Sequence, residues 1–388
     1  MTREYDAIVL GLGGIGSGTA YWLARSGAKV LGIERFELGH ARGESHDHSR
    51  IIRLSYHAPN YVALAKEAYA AWGRLEADAA ERVIFKTGGL DLGPRGGAIP
   101  LQGYADAMRA CGVAFETLDA AQIRRRYPAM QIGDDVWGLF QADGGIVAAE
   151  RATAAHQRAA KAFGATLLAQ TAVATIDASG GEVEILAGGQ RYRAGQLVIA
   201  AGPWSNAALA YAGLQLPLEI TKEQAMYFRP AQPEPFEFGH FPVWIWMDDP
   251  SFYGFPVFGE AGLVKVTQDA GGRSVDPDLR GFEPDDEITA RVRAFLSAHL
   301  PALAVEPSIV KTCLYTLTPD RDFVIDSLPG HPHVHVAIGA GHAFKFASVI
   351  GRILSELALH GSTPSDISAF GLGREILHMA APPKQYMI

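Results

Sequence analysis

Asp6-Ala7-Ile8-Val9-Leu10-Gly11-Leu12-Gly13-Gly14-Ile15-Gly16 is the stretch that decides the fold of this chain. Residues 6–10 form an apolar run of the length of a buried parallel strand. The glycines follow at once and open a helical pattern that runs to about Ser26, where Gly27 stops it. A second strand over residues 29–33 ends at Glu34. Strand, glycine turn, helix, strand and acid, in that order, read as a dinucleotide-binding Rossmann unit. Gly11 permits the tight turn, Gly13 lets the backbone approach a pyrophosphate, and Gly16 lets helix pack on strand. The helix N-terminus at Gly14 and Ile15 offers unpaired N–H groups and a positive dipole end to phosphates. Glu34, followed by Arg35, can accept from ribose hydroxyls, which suits an adenosine without a 2′-phosphate.

Further along, an apolar strand over residues 196–201 runs into Gly202-Pro203-Trp204-Ser205-Asn206, preceded by strand-like runs at 164–168 and 171–176 that read as additions to the same sheet. Three more segments carry chemistry. Ser45-His46-Asp47-His48-Ser49-Arg50-Ile51-Ile52-Arg53 holds two arginines three apart, which share a face if the segment is helical. Cys313-Leu314-Tyr315-Thr316-Leu317 sets a thiol in a short β-prone run, a poor setting for a metal ligand. Gly339-Ala340-Gly341-His342-Ala343-Phe344-Lys345-Phe346 leads into a last helix with its body at 345–359, whose N-terminus can stabilise negative charge. Taken singly, each has a plainer reading: a solvated helix face for the arginines, a buried structural thiol for Cys313, a ligand-free turn for the glycines.

In this order these motifs resemble the monomeric sarcosine oxidase and N-methyltryptophan oxidase family of FAD-dependent oxidoreductases with the D-amino-acid-oxidase-type fold, over nearly the whole chain. The resemblance implies FAD held through a thioether from Cys313 to the flavin 8α-methyl carbon. It implies that Val173 contacts adenine, and that Ala201, Gly202 and Trp204 lie near the cofactor with Ser45, Arg50, Gly341, His342 and Phe344. Arg53 and Lys345 are implied as the grip on the substrate carboxylate, Tyr253 and Tyr315 as flanks of the substrate, and Lys265 as the cation that assists reaction with oxygen. A planar guanidinium suits a carboxylate, and a cation by the flavin favours electron transfer to oxygen. By itself, a lysine in an alternating strand more often faces water. One position departs from the family: Asp269 stands where the familiar pattern has a histidine four residues beyond the lysine.

The expected fold is α/β: a Rossmann-like FAD-binding domain interleaved with an α+β substrate domain built on a mostly antiparallel sheet. The expected segments are 1–86, 146–216 and 318–388 for the first domain, 87–145 and 217–317 for the second. The stretch 226–258 is rich in aromatics, mostly sheet core, with Trp244 and Trp246 on one face. Gly93-Pro94-Arg95-Gly96-Gly97 reads as one loop and Gly271-Gly272-Arg273 with Asp276-Pro277-Asp278 as another, and a loop of that kind is a candidate gate.

With 388 residues, 48% of them hydrophobic and 20% charged, the chain can bury a large core, and a net charge of -8 opposes nonspecific nucleic-acid binding. Cys111 and Cys313 are the only cysteines, too few for a disulfide framework, which suits a reducing cytoplasm. No stretch reads as a membrane span, residues 7–10 are too short for a signal peptide, and Gln385-Tyr386-Met387-Ile388 is not a peroxisomal address. The expected activity is oxidation of N-methyl or other secondary amino acids, by hydride transfer to flavin N5, imine hydrolysis and reduction of oxygen to hydrogen peroxide. A monomer acting on a small amino acid and O2 is expected from the resemblance. A dehydrogenase with another acceptor, or a non-catalytic FAD-binding protein, are the alternatives.

Overall fold

The strand Arg3–Leu10 carries an apolar run because both of its faces are covered; Ala7, Ile8 and Val9 are wholly buried. In the computed structural model, which describes residues 3–383 and so leaves the 385–388 tail outside, this strand pairs in parallel with Val30–Ile33 on one side. On the other it pairs in parallel with Gln190–Ile199. Thr166–Leu168 extends the sheet beyond Val30–Ile33, and His331–Ile338 joins Gln190–Ile199, again in parallel. Val173–Asp177 and Val183–Ala187 form an antiparallel meander with Gln190–Ile199, and Val324–Leu328 folds back on His331–Ile338. The helices Gly14–Arg25, Pro59–Ala79, Ala149–Ala162 and Ala347–His360 contribute to one apolar core against this sheet.

A second sheet, of nine strands, takes Gly89–Pro94, Glu116–Asp119 and Val136–Gln141, then six strands between Glu219–Phe228 and Ile309–Leu317. Its pairings are antiparallel except that of Val243–Trp246 with Gly89–Pro94. This is the mixed architecture expected, a Rossmann-like sheet and a mostly antiparallel one, and the chain alternates between them. Trp244 and Trp246 do share a face: both pack on Phe295 of the helix Asp286–His299, away from Ile245, which turns to the opposite side.

Two local expectations are corrected. Arg50–Ile52 is a strand, paired antiparallel with Gly145–Val147, because the β-branched Ile51-Ile52 favours extended chain. Residues three apart on a strand point to opposite faces, so Arg50 and Arg53 do not project together. The last helix begins at Ala347, two residues later than expected, since Ala343–Phe346 closes as a tighter 3₁₀ turn. Among the described residues no helix is long and apolar enough to cross a membrane.

Candidate active site

The glycine turn opens onto a cavity of about 950 Å³. Gly11, Gly13, Gly14, Ile15, Glu34, Arg35, Ser45, Val173, Ala201, Gly202 and Trp204 all line it. Gly16 lies beneath, where a Cβ would stand 1.8 Å from the Gly11 carbonyl oxygen; Gly11 itself turns at φ +89°. Glu34 accepts from the backbone N–H of Leu12 at 2.9 Å and of Phe36 at 3.0 Å, with His40 Nε2 at 3.4 Å. Burial pushes its carboxyl upward, but His40 and these N–H bonds outweigh that and hold it below the ordinary value. Gly13 caps the helix with no side-chain bond of its own. A glycine floor that a side chain would fill, a helix N-terminus and an ionised acid at the strand end fit an adenine dinucleotide. Over the cavity, Asp278 Oδ1 accepts from Arg35 Nη1 at 2.8 Å and Trp204 Nε1 at 2.9 Å, so one of the two loops read from the sequence contributes to its lining.

A second cavity of about 100 Å³ adjoins the first, sharing Gly14, Ile15, Glu44, Ser45 and Gly339 with it. Arg50, Tyr253, Tyr315, Gly341, His342, Phe344 and Lys345 line it, with Asp269. The guanidinium of Arg50 is fixed by the carbonyls of Ser49, Glu44 and His46, at 2.9, 2.9 and 2.8 Å. The phenol oxygens of Tyr253 and Tyr315 lie 3.1 Å apart. His342 faces the Arg321 carbonyl at 2.8 Å, and burial, then the Lys345 charge, hold its ring neutral. The Lys345 ammonium is buried, 5.9 Å over the Tyr56 ring, and makes no hydrogen bond or ion pair with the described residues, while the backbone carbonyl of Lys345 accepts from Trp72 Nε1 at 2.7 Å. Burial first, and then the Arg53 charge, lower its ammonium to about 7.

Of the residues predicted around the flavin ring and the substrate, Arg53, Lys265 and Cys313 border neither of these two cavities. Arg53 is buried and paired with Asp91 at 3.0 Å. It borders a separate pocket of about 10 Å³, which Ile51 and Ile245 divide from the larger one. Lys265 is not on a wet face: it is buried over the Phe255 ring, 2.5 Å from Asp47 Oδ2 and 3.0 Å from the Ser49 carbonyl. Burial lowers Lys265 against the opposing charge of Asp47, while burial of Asp47 is overcome by Lys265 and Arg50, which hold that acid far below the ordinary range. Asp47 also accepts from the Tyr227 hydroxyl and from Lys311 at 3.1 Å. Cys313 is half-buried in Ile309–Leu317, opposite Glu223, and borders neither cavity. Its strand is tied to the segment between the cavities by Leu314 N–H to the Gly43 carbonyl at 3.3 Å. Burial pushes the thiol up to about 11, against the Arg50 charge.

Asp47, Asp91 and Arg321, the counter-ions of the predicted residues, were not singled out as site residues from the sequence. Asp91 left a signal, a lone acid in the apolar strand Gly89–Pro94.

The chain belongs to the family described as FAD dependent oxidoreductase, whose sequence model matches residues 6–357. It is similar to the monomeric sarcosine oxidase of Bacillus sp. (strain NS-129), with 32% identity covering 98% of this chain and 100% of that protein. To the N-methyl-L-tryptophan oxidase of Salmonella arizonae (strain ATCC BAA-731 / CDC346-86 / RSK2980) it is 30% identical, over 96% of this chain and 99% of the relative. Among solved structures it matches NikD, an unusual amino acid oxidase essential for nikkomycin biosynthesis, with a TM-score of 0.85 and 29% identity, covering 100% of this chain and 99% of the other.

Proposed function

We propose that the protein is an FAD-dependent oxidase of N-methyl or other secondary amino acids. The observation that carries this reading is the buried ammonium of Lys345, without a hydrogen bond or ion pair among the described residues, in a small cavity that adjoins the larger one over the glycine turn. FAD would be held by the glycine turn at Gly11 and Gly13, by Glu34 and by the Ser45, Val173 and Gly202 walls of the larger cavity, and would supply the redox chemistry, as acceptor of a hydride from the carbon beside the amine nitrogen and donor of the electrons that reduce oxygen to hydrogen peroxide.

The chain's own residues bind and orient. Lys345 grips the substrate carboxylate, and its proton is secured by the anion it binds. Tyr253 and Tyr315 form the wall along which the amine lies, and Arg50, pinned by three carbonyls, is a fixed positive charge on the lining of the small cavity. Direct contact with the carboxylate is assigned to Lys345 alone, since Arg53 is taken up by Asp91 behind Ile51 and Ile245. Lys265, held by Asp47, assists the oxygen half-reaction, and Cys313 is the attachment point for the flavin 8α carbon. The imine released from the site hydrolyses in water, to formaldehyde and a primary amino acid when the alkyl group is methyl. The enzyme acts as a monomer.

Anaerobic titration with a panel of N-methyl and cyclic secondary amino acids tests the reading. At least one is expected to bleach the flavin absorbance; a flavin that none of them bleaches would refute it. Lys265→Met is expected to slow reoxidation by oxygen and leave anaerobic reduction nearly unchanged. Unaltered reoxidation would remove Lys265 from that role.

A further inference from the structure

The small cavity has a second charged wall opposite in sign to Lys345. Asp269 lines it directly after the strand Val264–Gln268, with its backbone N–H on the Ser251 carbonyl at 2.9 Å. One carboxylate oxygen, Oδ2, meets Arg321 Nη1 at 3.0 Å, and both side chains are more than nine-tenths buried. The Nε and Nη2 of Arg321 are buried without hydrogen-bond partners among the described residues, so the guanidinium bonds through Nη1 to Asp269. Arg321 is tied to the cavity wall through its carbonyl, which faces His342 Nε2. The other charged groups of the cavity are already engaged, Arg50 by three carbonyls and Glu44 by the Thr316 N–H. Among the described residues the Lys345 ammonium makes no ion pair, and Asp269, held by Arg321 through Oδ2, keeps Oδ1 to meet a ligand.

We infer that Asp269, buttressed by Arg321, selects a monocarboxylate that carries a hydrogen-bond donor beyond its carboxylate, and closes the cavity to dicarboxylates. Within about 100 Å³ a second carboxylate on the ligand has to lie near Asp269, with little room for screening water. An N–H group there is accepted instead. A secondary amine keeps one N–H in its unprotonated, reactive form, whereas a tertiary amine has none. Within the secondary amino acids already proposed, the ligand is narrowed to those whose remainder beyond the carboxylate and amine is neutral or donor-bearing. This deepens the oxidase reading and rests on it for the amine, but not for the anion selectivity.

The test is calorimetric titration of the holoenzyme with acetate and with malonate, neither of which is oxidised. Wild type is expected to bind acetate, and malonate at least about tenfold more weakly, the penalty of a like charge set against a buried acid. Asp269→Asn is expected to strengthen malonate binding by about tenfold while changing acetate by less than about threefold, and Asp269→Glu to keep the exclusion. Malonate binding as tightly as acetate in wild type would overturn the inference without any variant needing to fold, as would an unchanged ratio in a folded Asp269→Asn protein. Absence of heat with either anion would overturn it too. In a parallel arm, anaerobic flavin reduction by sarcosine is expected to be at least about tenfold faster than by N,N-dimethylglycine in wild type, and equal rates would overturn the amine half. If no amine bleaches the flavin, the oxidase reading fails while the acetate–malonate ratio still reports on Asp269.

Discussion

Replacing Asp47 by Asn removes the one carboxylate that compensates Lys265, and the structure sets the size of the effect. Both side chains are buried to the same degree, 4% exposed, and the lysine's other contacts are a single carbonyl at 3.0 Å and the Phe255 ring. Breaking such a pair from one side leaves a buried charge unmatched, which costs about 3–5 kcal/mol. Asn retains one amide oxygen for Tyr227 or Lys311, so the lower end, about 3 kcal/mol, is expected, a fall on the order of 1 M in the urea midpoint. The sign of the pH dependence follows from Lys265, whose pKa burial already lowers. Without Asp47 it falls further, so above that lowered value the folded state binds fewer protons than the unfolded chain, whose lysines titrate near 10.4. Stability relative to wild type then recovers as pH rises toward the ordinary lysine range, and the deficit is largest at acid and neutral pH. Urea denaturation followed by tryptophan fluorescence at pH 6, 7.5 and 9 measures it. A midpoint that does not move at neutral pH, or a deficit that widens as pH rises, would refute the claim that Asp47 compensates Lys265.

Acetate affinity is expected to fall as pH rises through about 7, because the Lys345 ammonium, lowered to about 7, is the group that meets the anion. Calorimetry near that pH, in buffers of different ionisation enthalpy, should register proton uptake on binding, and a flat profile would contradict it. Cys313→Ser is expected to leave a colourless acid-precipitated pellet with the pigment in the supernatant, where wild type gives a yellow pellet. Gly16→Ala sets a methyl 1.8 Å from the Gly11 carbonyl oxygen, so the turn must open. The expected result is protein that elutes without flavin or does not fold, read from the ratio of 450 nm to 280 nm absorbance.

The glycine turn was legible because its spacing encodes backbone geometry: Gly11 and Gly16 are demanded by a positive φ and a close approach, and no other residue type serves. Gly341-His342-Ala343-Phe344-Lys345 was legible for a similar reason, as a turn whose side chains are delivered to one cavity wall. The arginines were harder. Spacing predicts a shared face only for a known backbone, and Ile51-Ile52 made the segment a strand, which separates Arg50 from Arg53. The counter-ions of the site resisted reading altogether, since Asp47 and Lys265 are 218 positions apart and Asp91 and Arg53 meet only when the nine-stranded sheet forms. The departure at Asp269 was visible in the sequence, but its meaning lay in Arg321, a residue with no motif around it.

The alternation of the chain between its two sheets bears on how the protein can be made and cut. Strand Gln190–Ile199 has Arg3–Leu10 and His331–Ile338 as its parallel neighbours, so the first sheet is complete only after almost the whole polypeptide has left the ribosome. Contacts of such wide sequence separation make folding slow and leave sheet edges open meanwhile. A fragment ending after residue 199 carries the glycine turn but lacks His331–Ile338, and with it the Gly339 that borders both cavities. Dissection into separately expressed halves therefore offers no route to a working nucleotide-binding piece, whereas permuting the chain at an exposed turn keeps every strand.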